Sequence, residues 1–513
     1  MNINKSYKAI ALLLLLVLTI SSCTHLPSLN SSKEFTMPSV NFQFAAPTGD
    51  KNSAYISDVN FYLPDRFTYK VYQYTHEMLL ELSDRSYEQI IEFLLKFTAN
   101  DTFESPTFGV KIDLYGEHPV SVFGNHAIVN LSANALLLTR DEFYLLSTSI
   151  SETLIDFAGV ESVNVLVADK AVSMSLLSNV PIGALEKSTN NAPYTEYIKL
   201  LEDRDGINRG IKATDIPVSL FFPSNSGEGI LAEGRKVLFS DFEPANMITQ
   251  MLTELSNGPR HIRSNIAIPN FADLLSVPPE ISDWGEGGNL VTLRFKNVFD
   301  DVLSTTKLHR NTALAMIGYT IFNFYPDTAG LRIFIGEERV IQFLPDEIIE
   351  EEIYLANDLI TKKTLSKYLL KQTEIYFANM EDSKLSLTLR LLPNNLSISP
   401  RNILLQIAKG PKELDYILKP TLPTIPFSIE EEEILGVSLE NQILVVNFRG
   451  SVLEKIRQLD IMQEKVFVYS IVNTLCLHNS MKSVMFLFDG QSIDYVNGEL
   501  YWMTEFYPNL KMN

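Results

Sequence analysis

Hydrophobic and polar positions along this chain follow one pattern three times. Each occurrence opens with a short apolar and aromatic run: Val59-Asn-Phe-Tyr-Leu-Pro64, Val218-Ser-Leu-Phe-Phe-Pro223 and Thr373-Glu-Ile-Tyr-Phe-Ala378. Runs of this kind predict strands. An amphipathic helix comes next. Ile90, Ile91, Leu94, Leu95 and Thr98 mark its apolar face in the first occurrence, Met247, Ile248, Met251, Leu252 and Leu255 in the second, and Ile403, Leu404, Ile407 and Ala408 in the third. These positions recur with the 3.6-residue period of one helix face. Pro244 and Pro400 suit a first helical turn, where a missing N–H costs nothing. Gly258-Pro259 and Gly410-Pro411 stop the second and third of these helices. No Gly-Pro follows the first.

An Ile-Pro pair then leads into a hairpin, at Ile268-Pro269 and Ile425-Pro426. The return strands are Ala127–Leu131, Leu290–Phe295 and Ile443–Phe448. Gly124-Asn125 makes a good two-residue turn in the first hairpin. A second helix follows, with Val466, Phe467, Ser470, Ile471, Thr474 and Leu475 as its stripe in the third occurrence. The last strong strands are Val163–Val167, Leu331–Ile335 and Val484–Phe488, each ending in a turn at Asp169-Lys170, Gly336-Glu337 or Asp489-Gly490. The predicted order is β-α-β-β-α-β plus a terminal hairpin strand. This split-βαβ pattern predicts an α+β fold with two helices on one face of a mixed sheet. The expected domains are 54–180, 215–345 and 372–505. Residues 181–214 link the first two, and residues 346–371, including Glu350 to Glu352, read as a charged connecting helix.

The N-terminus carries a different signal. Lys5 and Lys8 precede an apolar run from Ala9 to Ile20, too short to span a bilayer and flanked like an export signal. Ile20-Ser21-Ser22-Cys23 resembles the lipobox of bacterial lipoproteins, with Ile in place of the usual Leu and Ser22 in place of Gly or Ala. The resemblance implies removal of residues 1–22 and acylation of Cys23. Residues 23–53 contain many Ser, Pro, Asn and Thr and read as a flexible tether. The expected location is extracytoplasmic, with the lipid holding the chain to a membrane. Thr24 gives no inner-membrane retention signal.

The order of motifs resembles the GerMN (Germane) domain. The third occurrence matches best, with Gly410-Pro411, Ile425-Pro426 and Asp489-Gly490. The second keeps Gly258-Pro259 and Ile268-Pro269, and the first lacks both Pro motifs. The resemblance implies an exported, often lipid-anchored protein of a kind linked to sporulation and germination. It carries over no catalytic residue.

The chain has 513 residues and a net charge of −20, which becomes −22 once residues 1–22 are removed. No basic cluster is present, so a nucleic-acid partner is not expected. Cys23 and Cys476 are the two cysteines, which excludes a disulfide framework and zinc sites built on cysteine pairs. His25, His76, His118, His126, His261, His309 and His478 are scattered, with no His-Glu-x-x-His among them. Glu430 to Glu433 read as a solvated acidic turn, Gly285 to Gly288 as a loop, and Cys476 as a small core residue. No nucleophile elbow, P-loop or dinucleotide fingerprint occurs. These readings imply no cofactor, no metal and no catalysis. The expected role is an envelope scaffold with protein partners. A lipoprotein that binds a small molecule or cell-wall fragment between domains is the alternative, and a peptidoglycan-acting enzyme comes third.

The lipobox reading makes a direct prediction. The wild-type chain should incorporate labelled fatty acid and fractionate with membranes, and Cys23→Ala should do neither. Absence of label from the wild-type chain would remove the anchor.

Overall fold

The computed structural model describes residues 46–52, 54–68, 70–173, 180–187, 214–285, 288–379, 384–412, 415–417, 421–477 and 481–512. Cys23, the signal segment and most of the expected tether lie outside them, as do His25 and His478. No helix among the described residues is long and apolar enough to cross a membrane.

After strand β1 (Gly49–Asn52), the first segment runs β2 (Ala54–Pro64), β3 (Val71–Glu81), α1 (Arg85–Lys96), β4 (Val120–Phe123), β5 (His126–Leu131), α2 (Arg140–Ala158), β6 (Ser162–Val167) and β7 (Ala184–Glu186). The second runs β8 (Thr214–Pro223), β9 (Ile230–Phe239), α3 (Pro244–Leu255), β10 (Glu280–Asp283), β11 (Asn289–Phe295), α4 (Phe299–Thr306), α5 (Arg310–Phe322), β12 (Thr328–Ile335) and β13 (Glu338–Arg339). A connector holds β14 (Gln342–Phe343), β15 (Ile353–Tyr354) and α6 (Lys362–Leu365). The third segment runs β16 (Leu370–Asn379), β17 (Leu385–Pro393), α7 (Pro400–Ala408), β18 (Tyr416–Ile417), β19 (Thr421–Leu422), β20 (Ile434–Glu440), β21 (Ile443–Phe448), α8 (Gly450–Ile456), α9 (Ile461–Leu475) and β22 (Ser483–Phe488).

The α+β class and the β-α-β-β-α-β succession are present, with one strand more than expected. Each opening strand is half of a long antiparallel hairpin, β2–β3, β8–β9 and β16–β17. The second strand is hard to read in β3, with His76 and Glu77, and in β9, with Glu233 and Arg235, whereas β17 alternates regularly from Leu385 to Leu391 and carried a strand signal that the sequence reading passed over. None of the hairpins joins the later mixed sheet of its segment, although the third is flanked by the short strands β18 and β19. The mixed sheets are ordered β4-β5-β6-β7 and β10-β11-β12-β13, each with a parallel central pair, and β1-β20-β21-β22, where the central pair is antiparallel and both outer pairs are parallel.

The arrangement of two helices on one sheet face is therefore corrected. The long helices α2, α5 and α9 touch the opening strand of the hairpin on one side and the last strand of the sheet on the other. Residues 143–155 of α2 and 312–322 of α5 are buried without a break. A helix apolar or small all round is one covered all round. The same hydrogen bond ties each opening strand to its long helix. The backbone N–H of Tyr62, Phe221 and Tyr376 donates to the hydroxyl of Thr153 (3.1 Å), Thr320 (3.3 Å) and Thr474 (3.0 Å). These three donors stand at one hairpin register, three residues after Val59, Val218 and Thr373.

Opposite Val59, Val218 and Thr373 stand His76, Arg235 and Arg390. Both arginines are buried and reach the end of the first helix of their segment. Arg235 donates to Glu233 (2.7 Å), Glu254 (3.0 Å) and the carbonyl of Gly258 (2.8 Å). Arg390 donates to Asp415 through Nε (2.8 Å) and Nη2 (2.8 Å), to Gln406 (3.1 Å), and to the carbonyl of Gly410. Each guanidinium also lies over a phenylalanine of its own hairpin, Phe222 or Phe377. The two Gly-Pro turns are thus acceptors for a buried cation. The first segment has neither the arginine nor the Gly-Pro, and His76 stacks on Phe93 there, with ring centroids 4.7 Å apart.

Three further expectations change. Residues 346–371 are not one helix: α6 has four residues, and buried Ile349, Leu355, Ile360, Leu365 and Tyr368 pack the connector against the second core. Their spacing has no helical period. Residues 46–52, expected in the tether, form β1 and its approach on the third sheet. Residues 184–186, expected in a linker, form β7 on β6. Thr98 falls beyond α1.

Substituting Thr474→Val should remove the hydroxyl that accepts from the half-buried Tyr376 N–H, at nearly constant volume. The expected loss is about 1–3 kcal/mol, read from urea unfolding of the whole chain. A change below a few tenths would mean that the hydroxyl does not close this edge.

Candidate functional site

The first and third segments meet through few polar contacts. Asp84, at the start of α1, makes no cap bond to its own helix. Its carboxylate instead pairs with Lys371 at the start of β16 and accepts from the hydroxyl of Ser397 (3.0 Å) and the N–H of Ile398 (3.2 Å). Asn394 donates to Ser121 of β4 at 3.2 Å. Around these contacts lies a cleft of about 960 Å³. Its walls carry Glu81, Glu88 and Glu117 with Tyr55, Tyr87 and Phe157 from the first segment, and Lys371, Glu374, Asn395 and Pro400 from the third.

The cleft offers more anionic than cationic side chains. Burial raises the Glu88 carboxyl above its ordinary range despite nearby Arg85. Burial also pushes the Tyr87 phenol up to about 12, so it stays a neutral donor near pH 7. Such a surface can hold a polar ligand by hydroxyl and carboxylate hydrogen bonds. Among the described residues no group of three or more His, Cys, Asp or Glu is arranged to hold a metal ion.

The residues singled out in the sequence are mostly scattered in space. Cys476 sits half-buried at the end of α9, and burial pushes its thiol up to about 12, so it is not a thiolate near neutral pH. Of the acidic run, Glu433 accepts from Lys455 (2.7 Å) and Ser451 (2.7 Å), and Glu430 and Glu433 close a capping box. Burial works against the Glu433 charge, but these bonds outweigh it and hold the carboxyl below its ordinary value. The loop at 285 closes by the bond from Trp284 N–H to Gly288 carbonyl at 2.8 Å. His118 lines the cleft.

With the fold and cleft in view, comparison with known proteins identifies part of the chain. Residues 374–494 match the family model Germane, described as "Sporulation and spore germination". The third segment carries a Germane domain. The match begins inside β16 and ends after β22, so it includes most of the hairpin, the helices α7, α8 and α9, and strands β20, β21 and β22. A solved structure of the tandem GerMN domains of the sporulation protein GerM from Bacillus subtilis is 17% identical, covering 60% of this chain and 99% of that one with a TM-score of 0.21. The first GerMN domain of the same protein is 16% identical over 22% of this chain and 82% of that one, with a TM-score of 0.17. No curated protein sequence matches.

Sequence reasoning missed His126 as a joint residue. It is fully buried where the hairpin of the second segment lies on the sheet of the first. Nδ1 is 2.8 Å from Ser162 Oγ, and Nε2 is 2.8 Å from Ser219 Oγ of β8. Asn164 also donates to Ser219 (2.8 Å) and to the carbonyl of Asn323 (2.9 Å). Gly234 of β9 passes so near that a Cβ there would meet Ser162 and His126. The only local signal was a polar residue, His126, opening an otherwise apolar strand.

Burial lowers the His126 pKa to about 4, against an ordinary 6.5. The neutral ring's contribution is therefore complete above pH 6.5 and is lost as pH falls towards 4. The loss should approach about 3 kcal/mol. His126→Gln should flatten the dependence of urea stability on pH between 6.5 and 4. An unchanged slope in the variant would assign the titration to another group.

Proposed function

We propose that this protein is a non-catalytic, lipid-anchored scaffold of the cell envelope, built from three GerMN-type domains and serving a sporulation or germination assembly. The Germane match at residues 374–494 is the observation that carries this reading. The repeated order of elements in the first and second segments supports extending the assignment to them, with the first as the divergent copy. Cys23 is the proposed acylation site, and the domains then lie outside the cytoplasm.

A scaffold reading also suits the chemistry. The buried charges at Arg235, Arg390 and Asp415 are paired with carboxylates or guanidinium groups of the fold itself. Hydrolysis needs a nucleophile with a base, a tuned carboxylate pair or an activating metal, held within hydrogen-bond reach. The cleft between the first and third segments supports a second reading, capture of a polar small molecule or cell-wall fragment. Its few aromatic walls and its divided charge make that the weaker of the two.

The decisive experiment incubates the purified mature chain with peptidoglycan and examines the soluble fraction by mass spectrometry. No released muropeptides are expected. Release that disappears on substitution of a single acidic residue would replace the scaffold with an enzyme.

A further inference from the structure

The three sheets expose equivalent edges, and they are treated differently. In β4, β10 and β20 the edge strand pairs antiparallel with the return strand of its hairpin. The position facing the penultimate residue of that return strand differs among them. In the first segment it is Pro119, whose carbonyl accepts from the Asn130 N–H at 2.8 Å. In the second the register slips past Pro278, and Ser276 faces Arg294, its N–H donating to the Arg294 carbonyl at 2.8 Å. In the third it is Gly436, paired with Asn447. Proline has no N–H to offer and guards a sheet edge against further strands. Among the described residues β4 and β10 take none, whereas β20 takes β1 in parallel, with Gly49 beside Gly436 and Asn52 beside Ser438.

The third edge is shaped for that strand. A Cβ at 436 would run into the carbonyl of Pro47. Asn447 Nδ2 donates to the same carbonyl at 3.1 Å, and Arg401 lies 3.7 Å from Asp50. In the first segment the equivalent Asn130 turns inward instead and donates to the Tyr115 carbonyl of its own loop at 3.1 Å. The occupant itself is weakly held. Gly49-Asp50-Lys51-Asn52 carries no apolar side chain, and its register slips between the two paired positions. One residue, Ser53, separates β1 from β2.

We propose that the glycine-opened edge of β20 is a strand-exchange site, which accepts residues 46–52 of a second copy of this chain. The sequence 46–52 demonstrably fits the edge, so the same site on a neighbouring copy accepts it equally. Effective concentration then decides between the two. A short hinge and an occupant without apolar anchors favour exchange. The partner copy supplies the fourth strand of the third sheet, and the contact is head-to-tail.

The test uses the full chain in a Cys23→Ser, Cys476→Ser background. One preparation carries Asn52→Cys and a second carries Ser438→Cys. Paired strand residues have Cα separations that a disulfide can bridge. Mixing the two at high concentration under mild oxidation should give a disulfide-linked heterodimer. Adding Gly436→Val to the second chain should lower its yield at least tenfold, and excess synthetic peptide of residues 45–53 should do the same without any change to the acceptor. The proposal fails if the mixture gives no heterodimer, whether or not a chain carrying both cysteines closes on itself. It fails equally if heterodimer forms but neither the valine nor the peptide reduces it.

Discussion

A threonine hydroxyl on each long helix accepts from the backbone of the opening strand, where hairpin and helix pack through their apolar faces. The opening strand has no sheet partner on the side of this hydrogen bond, in the two-stranded hairpins and in the third, where β19 pairs only with Ala378 and Asn379, and an unpaired N–H there is costly. Thr153, Thr320 and Thr474 supply the acceptor from the helix rather than from another strand. The hairpin can therefore lie along the helix instead of joining the sheet. The helix is then covered on both sides, and the apolar or small residues around its whole circumference are accounted for.

A second constraint fixes the first helix. A guanidinium buried without partners would be prohibitive, so Arg235 and Arg390 bring their acceptors with them. The carbonyl at each Gly-Pro turn is one of those acceptors, and a carboxylate completes each set. The acid comes from a different place in each case: Glu233 and Glu254 from the hairpin and helix, Asp415 from the loop after the helix. The charge is retained and its counter-charge is rebuilt. Where the arginine is replaced by His76, the Gly-Pro turn is missing too, and stacked aromatic rings fill the space.

The segments are joined by chemistry of two kinds. The first and second meet over a dry joint, where His126, Asn164 and Ser219 satisfy one another and Gly234 lets the strands approach. The first and third meet over Asp84, Lys371 and a few amide and hydroxyl bonds, leaving a wide cleft. The outer strand β1 bridges these same two segments, since it leaves the first hairpin and lies on the third sheet.

The sequence by itself determined the local elements and their order. Periods of two and of 3.6 at Val59, Val218, Thr373, Met247 and Ile403 mark strands and helices, because burying one face requires that spacing. It also determined two helix stops, since Gly258 and Gly410 end helices by backbone conformation alone. Thr474 was legible as part of a buried stripe, but not as an acceptor. The tertiary structure alone decided which polar residues are buried. His76 and Arg235 interrupt the alternation of β3 and β9. In β17 the alternation from Leu385 to Leu391 was legible, but it would place Arg390 on the wet face, whereas Ser386, Thr388 and Arg390 are all buried. The connector at 346–371 was misread for the opposite reason. Its charges face water while Ile349, Leu355 and Tyr368 are buried at irregular intervals, a pattern set by the surface they cover and not by any period of their own. The cleft and the His126 joint share this origin: both are made by residues far apart in the chain, and partners that distant leave no spacing to read.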